Sequence, residues 1–178
     1  MGTTFQIIIT EFDNDFNRKI LGQTFSDESI VTKKRSSITN TEFANCKFQN
    51  VDFTGSYLKT CTFTQTIFHK CEFWDSTFQK CQITQCQFTK ADFHTNIFEH
   101  CYLQKIDSSW SYFGTCNVCQ TDISDIDFTG AIIDDLRLEG TTFSNLRVSE
   151  NLLVKFCKLR KLTEVTDSCS LKKLINLN

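Results

Sequence analysis

The sequence predicts a repeat architecture in which the chain turns a corner every five residues. The first observation behind this is an apolar residue at every fifth position: Ile38, Phe43, Phe48, Phe53, Leu58, Phe63, Phe68, Phe73, Phe78, Ile83, Phe88, Phe93, Phe98 and Leu103. After Ser108 the register resumes with Phe113, Val118, Ile123, Phe128, Ile133, Leu138, Phe143, Val148 and Leu153. That makes 24 consecutive registers with one polar member, and a period of five fits neither a helix nor a single strand. The second observation is a column two residues earlier, small or mid-sized throughout: Thr41, Cys46, Val51, Ser56, Cys61, Thr66, Cys71, Ser76, Cys81, Cys86, Ala91, Asn96 and Cys101. With Cys116, which continues it, seven of the ten cysteines fall in this column. Each unit therefore turns one large and one small side chain inward and leaves three polar positions outside.

The units NCKFQ, NVDFT, KCEFW, KADFH and DIDFT resemble the pentapeptide-repeat family, over about residues 36 to 153. The resemblance implies an all-β fold, a right-handed quadrilateral β-helix with four units per coil. Twenty-four units make about six coils, a rod roughly 29 Å long at about 4.8 Å per stacked strand. Folding on a period of twenty stacks Phe53, Phe73, Phe93, Phe113 and Ile133 in one inner ladder, and Phe48, Phe68, Phe88, Ser108 and Phe128 in another. Ser108 interrupts the second, with Trp110 beside it, and reads as a bulge or local fault.

Taken in order, residues 1–35 form an N-terminal cap and an irregular first coil. Residues 1–24, with Phe5, Ile7 to Ile9, Phe12 and Phe16, are placed to cover the open end of the first coil, a sheet edge which would otherwise invite aggregation. Ile38 lies eight residues beyond Ile30, so a three-residue insertion is expected around Lys33, Lys34 and Arg35, a solvated loop. Residues 36–153 are the β-helix. Beyond Val148, Leu152, Leu153, Phe156, Leu159 and Leu162 follow helical spacing, with cations toward the C-terminal half where the helix dipole favours them. Residues 154–178 are therefore expected to form a helical cap or a dimerisation segment. In gyrase-binding members of the family such elements join two rods end to end; a monomer cap folded back on its own coil is the alternative.

Composition narrows the function. A formal charge of -2, 22% charged residues and no proline exclude collagen-like, disordered and strongly basic classes. No basic n-region followed by an apolar run opens the chain, and no stretch approaches the roughly 18 apolar residues of a membrane helix. A cytoplasmic protein with free thiols is expected, without membrane attachment. Cys61, Cys81 and Cys101 stack in one column, but parallel side chains suit a core better than a disulfide. In Cys116-x-x-Cys119 one thiol faces in and the other out. His69, His94 and His100 lack partner ligands, so no metal and no cofactor are expected. Neither a nucleophile elbow nor a phosphate-binding glycine loop occurs, so the protein is read as non-enzymatic.

Function is then expected on the outer faces. Over residues 41–148 thirteen acids oppose eight bases. The face formed by 51–55, 71–75, 91–95, 111–115 and 131–135 carries Asp52, Glu72, Asp75, Asp92, Asp134 and Asp135 with no Lys or Arg. Asp52, Glu72 and Asp92 share one column, and like charges one strand spacing apart destabilise a sheet. Trp74, His94 and Tyr112 sit beside them. The expected partner-binding set is Asp52, Glu72, Trp74, Asp75, Asp92, Tyr112, Asp134 and Asp135, presented to a protein with a basic surface and not to nucleic acid. The competing reading is structural, with Lys70 and Lys90 neutralising the stripe. The resemblance adds an alternative partner, a type II topoisomerase, because quinolone-protection and gyrase-inhibiting members mimic the DNA duplex. This chain lacks the projecting loops of the quinolone-protection type, and six acids are few against about seventeen charges on a duplex of that length.

Overall fold

A chain that turns a corner every five residues needs one backbone position per unit that β geometry does not supply. In the computed structural model, which describes residues 18–26, 37–145, 147, 153–154 and 157–160, that position is the residue two after each large inward side chain. Left-handed φ recurs at every fifth residue from Asn40 to Asn145, skipping only Asp135, with values from 47° to 70°. Asn40, Asn45, Asn50 and Gly55 suit this conformation; Thr60, Lys70, Lys90 and Trp110 do not. They are held there by the stacking of coils. The corner amides of Asn40, Lys70 and Lys90 donate to the carbonyls of Lys59, Thr89 and Ser109 in the following coil at 3.0 to 3.2 Å.

The corners divide the chain into four stacks of parallel strands, a right-handed quadrilateral β-helix with no helix among the described residues. The Glu42 face stacks Arg18–Leu21, Thr41–Ala44, Thr62–Thr64, Gln82–Thr84, Tyr102–Asp107, Asp122–Asp127 and Thr142–Ser144. The Lys47 face stacks Thr24–Ser26, Lys47–Gln49 and Ile67–His69 and continues through bridges at Gln87 and Asp107. The Asp52 face begins as bridges from Asp52 to Glu72 to Asp92, then becomes Asp92–His94, Tyr112–Gly114, Ile132–Ile133 and Leu153–Val154. The Tyr57 face stacks Ser37–Thr39, Tyr57–Lys59, Thr77–Gln79, Ile97–Glu99, Cys116–Cys119, Leu136–Glu139 and Cys157–Arg160.

Inside, the phenylalanines translate from coil to coil as parallel plates. Phe53, Phe73, Phe93 and Phe113 stack at 4.8, 4.9 and 5.0 Å with rings within 5° of parallel. Phe48, Phe68 and Phe88 do the same at 5.0 and 4.7 Å. These spacings equal the distance between strands, so one backbone period positions both hydrogen bonds and rings. Neighbouring ladders meet edge to face, as Phe68 meets Phe73 at 5.6 Å and 67°, the other favoured aromatic geometry.

Three expectations are corrected by the register. At Ser108 there is no bulge: Ile106 pairs with Ile126, Asp107 with Asp127, and the Ser108 amide donates to the Asp127 carbonyl at 2.8 Å. Ser108 keeps its place in the ladder, buried. The helix expected through Leu153 and Leu159 does not form there. Leu153–Val154 pairs with Ile132–Ile133, and Cys157–Arg160 pairs with Leu136–Glu139. The pairing offset grows from 20 to 21, one extra residue, because the unpaired N–H and C=O groups at the edge of the last coil recruit the chain as strand. Residues 161–178, and with them most of the expected cap, lie outside the described residues. At the other end, Arg18–Leu21 is itself a strand of the Glu42 face, so residues from Arg18 onward extend the solenoid rather than cover it. Ile20 pairs with Phe43 and Phe25 with Phe48, an offset of 23, which bears out a three-residue insertion between those coils. The Lys33-Lys34-Arg35 loop assigned to it lies outside the described residues.

Candidate functional site

On the Asp52 face the outward columns are fixed by the repeat: the residue before each large inward one forms the first column, the residue after it the second. Asp52, Glu72 and Asp92 are therefore bridged neighbours one strand spacing apart, and Tyr112 is next in line. Asp52 turns one carboxylate oxygen, Oδ1, onto the Thr54 amide at 2.8 Å. Glu72 is exposed. Asp92 Oδ1 is buried without a hydrogen-bond partner, a costly arrangement for a carboxylate oxygen.

The cations expected to neutralise this column do not do so. Lys70 and Lys90 are exposed, and neither comes within 4 Å of Glu72 or Asp92. Their charge falls instead on His69, whose pKa is lowered by desolvation and by Lys70, Lys90 and Lys47. Elsewhere the face is partly satisfied. Arg137 reaches Asp135 across the corner through two nitrogens, Nε at 3.3 Å and Nη2 at 2.9 Å. Asp134 accepts from the Tyr112 hydroxyl at 3.0 Å. Burial first, then Asp134 and Asp92, push the Tyr112 hydroxyl above its ordinary pKa. The expected set thus splits: Asp52, Glu72, Trp74, Asp75 and Asp92 lie together toward the N-terminal coils, while Tyr112 is bonded to Asp134 and Asp135 to Arg137.

Beside the acidic column runs an aromatic row. Trp74 is 46% exposed and its ring lies 5.7 Å from that of His94. His94 stacks on Tyr112 at 6.3 Å and 13°. Gly114 makes this row continuous and carried no signal in the sequence. A Cβ there would stand 2.6 Å from His94 Nδ1 and 2.7 Å from the Tyr112 hydroxyl, so the missing side chain is the space Tyr112 and His94 occupy. Asp75 stands at the left-handed corner next to Trp74, above a groove lined by Tyr57, Thr77 and Ile97. Ile97, 41% exposed, is an apolar neighbour that the charge count alone missed.

The thiols offer no competing chemistry. The eight cysteines from Cys46 to Cys119 are all free, and of these Cys119 alone is not buried. The Cys61, Cys81 and Cys101 thiols each donate to the carbonyl 23 residues earlier at 3.2 to 3.3 Å. Burial pushes Cys71 and Cys116 up to about 12 and Cys86 up to about 11, so they are poor nucleophiles. Among the described residues no group of three or more His, Cys, Asp or Glu side chains is placed to hold a metal ion. Of the expected capping set, Leu153 and Leu159 lie in strands, while Leu152, Phe156 and Leu162 fall outside the described residues.

The family model described as a pentapeptide repeat region matches residues 36–107. No curated protein matches the chain by sequence. Among solved structures, a trypsin-treated variant of QnrB1, a plasmid-mediated fluoroquinolone resistance protein, is similar at 17% identity and a TM-score of 0.54, covering 89% of this chain and 96% of its own. HetL, a pentapeptide repeat protein involved in heterocyst differentiation regulation in the cyanobacterium Nostoc, is similar at 10% identity and a TM-score of 0.59, covering 91% and 94%. At these identities the likeness is one of fold.

Proposed function

Because this chain is a pentapeptide-repeat protein, we propose that it is a non-catalytic protein-binding rod whose Asp52 face docks on a basic partner surface. The observation that carries this is the column Asp52, Glu72, Asp92, which has no ion-pair partner among the described residues and lies along the aromatic row Trp74, His94, Tyr112. Three like charges stacked in a sheet cost stability, and a cationic surface removes that cost on binding while steering encounter and fixing register. Exposed aromatics beside the charges supply apolar contact of the kind enriched in interfaces. A second reading names the partner as a type II topoisomerase. Its support is the QnrB1-like fold and the acidic surface; its weakness is that Asp134 and Asp135 are already satisfied within the chain, which shortens the free stripe.

The test uses the full chain with Asp52→Asn, Glu72→Gln and Asp92→Asn combined. The expected result is a fold at least as stable as wild type, since the like-charge repulsion is relieved and the buried atom at position 92 no longer belongs to a charged group. Binding should weaken, and its salt dependence should flatten. A DNA gyrase supercoiling assay with wild-type and triple variant separates the two partners: inhibition by the first alone supports the topoisomerase reading. A triple variant clearly less stable than wild type would make the stripe a structural ladder and sink both readings.

A further inference from the structure

The core is not filled evenly. In almost every unit the small inward residue precedes the large one by two positions, but the pair Ile106 and Ser108 reverses that order. Both are buried, each 4% exposed, so the reversal lies inside the rod. Ile106 returns part of the lost volume to the small column, where Ile126 pairs with it in the next coil. Ser108, however, stands between Phe88 and Phe128 in a ladder built for rings, and the plates stop there. Phe68 stacks on Phe88 at 4.7 Å, while Phe128 meets only Phe113, edge to face at 5.5 Å. A cavity of about 50 Å³ results, walled by Phe88, Phe128, Ile126, Cys116 and Ser108 together with further aromatic and aliphatic side chains.

We propose that this cavity is a binding site for one small non-polar molecule of one or two heavy atoms, in the size class of a dissolved gas. Its chemistry decides between that occupant and water. A buried water needs two to four polar partners. Among the described residues of the wall the Ser108 hydroxyl is the only nitrogen- or oxygen-bearing side chain, and the Cys116 thiol is committed to the Phe93 carbonyl at 3.3 Å. A water there gives up hydrogen bonds; an apolar guest gives up none and gains dispersion contacts that the lining lacks when the space is empty. Size limits the guest from above. Apolar cavities that accept benzene are about 150 Å³, roughly three times this one, so aromatic and branched ligands are excluded.

Xenon is the probe. Diffraction from xenon-pressurised crystals of the full chain should place one atom between Phe88 and Phe128, and dissolved xenon should shift the NMR signals of the Ile126 methyl groups selectively. Ser108→Ala removes the hydroxyl and keeps the volume, and should retain xenon. The double variant Ile106→Cys, Ser108→Phe restores the repeat order, fills the cavity, and should lose xenon while gaining stability. Wild-type protein that takes no xenon, or that shows an ordered water in the cavity, overturns the proposal. Loss of xenon from Ser108→Ala overturns it too, because the hydroxyl rather than apolar volume would then be the binding element. Xenon retained by a folded double variant would place the site elsewhere.

Discussion

The coils from Ile38 to Phe98 and those from Leu103 to Leu138 share one backbone period but not one core. In the first group the rings repeat at 4.7 to 5.0 Å and lie within 7° of parallel. The large side chains there are almost fully covered, with Phe63, Phe68, Phe73 and Phe78 each 1% exposed. In the second group Leu103, Val118, Ile123, Ile133 and Leu138 replace most of the rings, and residual exposure climbs to 9% at Leu103 and 8% at Phe113. A flat ring translated by one strand spacing meets its copy at van der Waals distance, so an aromatic ladder tiles without further adjustment. Branched aliphatic side chains of differing shape follow that step less uniformly, and the cavity at Ser108 lies where rings give way to them. A solenoid repeat therefore specifies backbone more strictly than it specifies packing.

The sharpest way to break this comparison is to truncate equivalent rings. Phe73→Ala, between two stacked neighbours, should cost about 3 to 5 kcal/mol, while Phe128→Ala, already beside a cavity, should fall toward or below the lower end of that range. Urea unfolding of the two variants decides it; equal losses would mean that stacking adds nothing to the first half.

A smaller effect distinguishes the halves by their thiols. Cys71 and Cys86 belong to the ring-stacked coils and Cys116 to the aliphatic ones, and burial raises all three well above the ordinary 9.0. Unfolded thiols ionise above pH 9 while these stay protonated, so stability should fall as pH rises from 9 toward 11, by about 1.4 kcal/mol per pH unit for each thiol. Cys71→Ala with Cys86→Ala should lower that slope by the share of two thiols and Cys116→Ala by the share of one. An unchanged slope in the double variant would show that these thiols are not the groups responsible.

The smallest expected effect concerns the outer surface of the first half. His69 is depressed below 6.5 by desolvation and three lysines, so the unfolded chain takes up a proton first as the pH falls. Stability should decline slightly on acidification below pH 6.5, and His69→Gln should blunt that decline. Thermal melts of both proteins between pH 7 and pH 5 test it, and parallel curves would remove His69 from consideration.

Much of the fold was legible because the period of five and the cysteine column are consequences of burial, and burial leaves a record in residue type. The left-handed corners leave almost none: Lys70, Lys90, Thr95 and Trp110 adopt φ values their side chains disfavour, held by interstrand bonds that no local pattern announces. The apolar spacing from Leu152 to Leu162 misled because it suits a helix in isolation, whereas at Leu153–Val154 and Cys157–Arg160 the open edges at Ile132–Ile133 and Leu136–Glu139 decide the conformation from outside. For the site, the Asp52, Glu72, Asp92 column followed directly from the repeat. That Asp135 is held by Arg137 did not, since the pair reaches around a corner that a face-by-face count treats as a boundary. Gly114 was unreadable for a related reason: its role is to be absent where Tyr112 lies.

The left-handed corners also make length a rotational coordinate. Each five-residue unit carries the chain through a quarter of a circuit, so removing one unit, for instance 76–80, would not merely shorten the rod. Every later residue would move back by one face, and Asp92 would be placed on the Lys47 face, beneath the corner that now separates it from His69. Asp52 and Glu72 would keep their positions while Tyr112 and Asp134 left theirs. Only changes of twenty residues, or small loops such as the three-residue excursion between Thr24–Ser26 and Ser37–Thr39, which leave the phase intact, preserve the alignment of a column. The proposed binding face is thus encoded in residue count as much as in residue type, and such a rod can lengthen by whole coils, or re-aim a surface in steps of a right angle, without any change to its core chemistry.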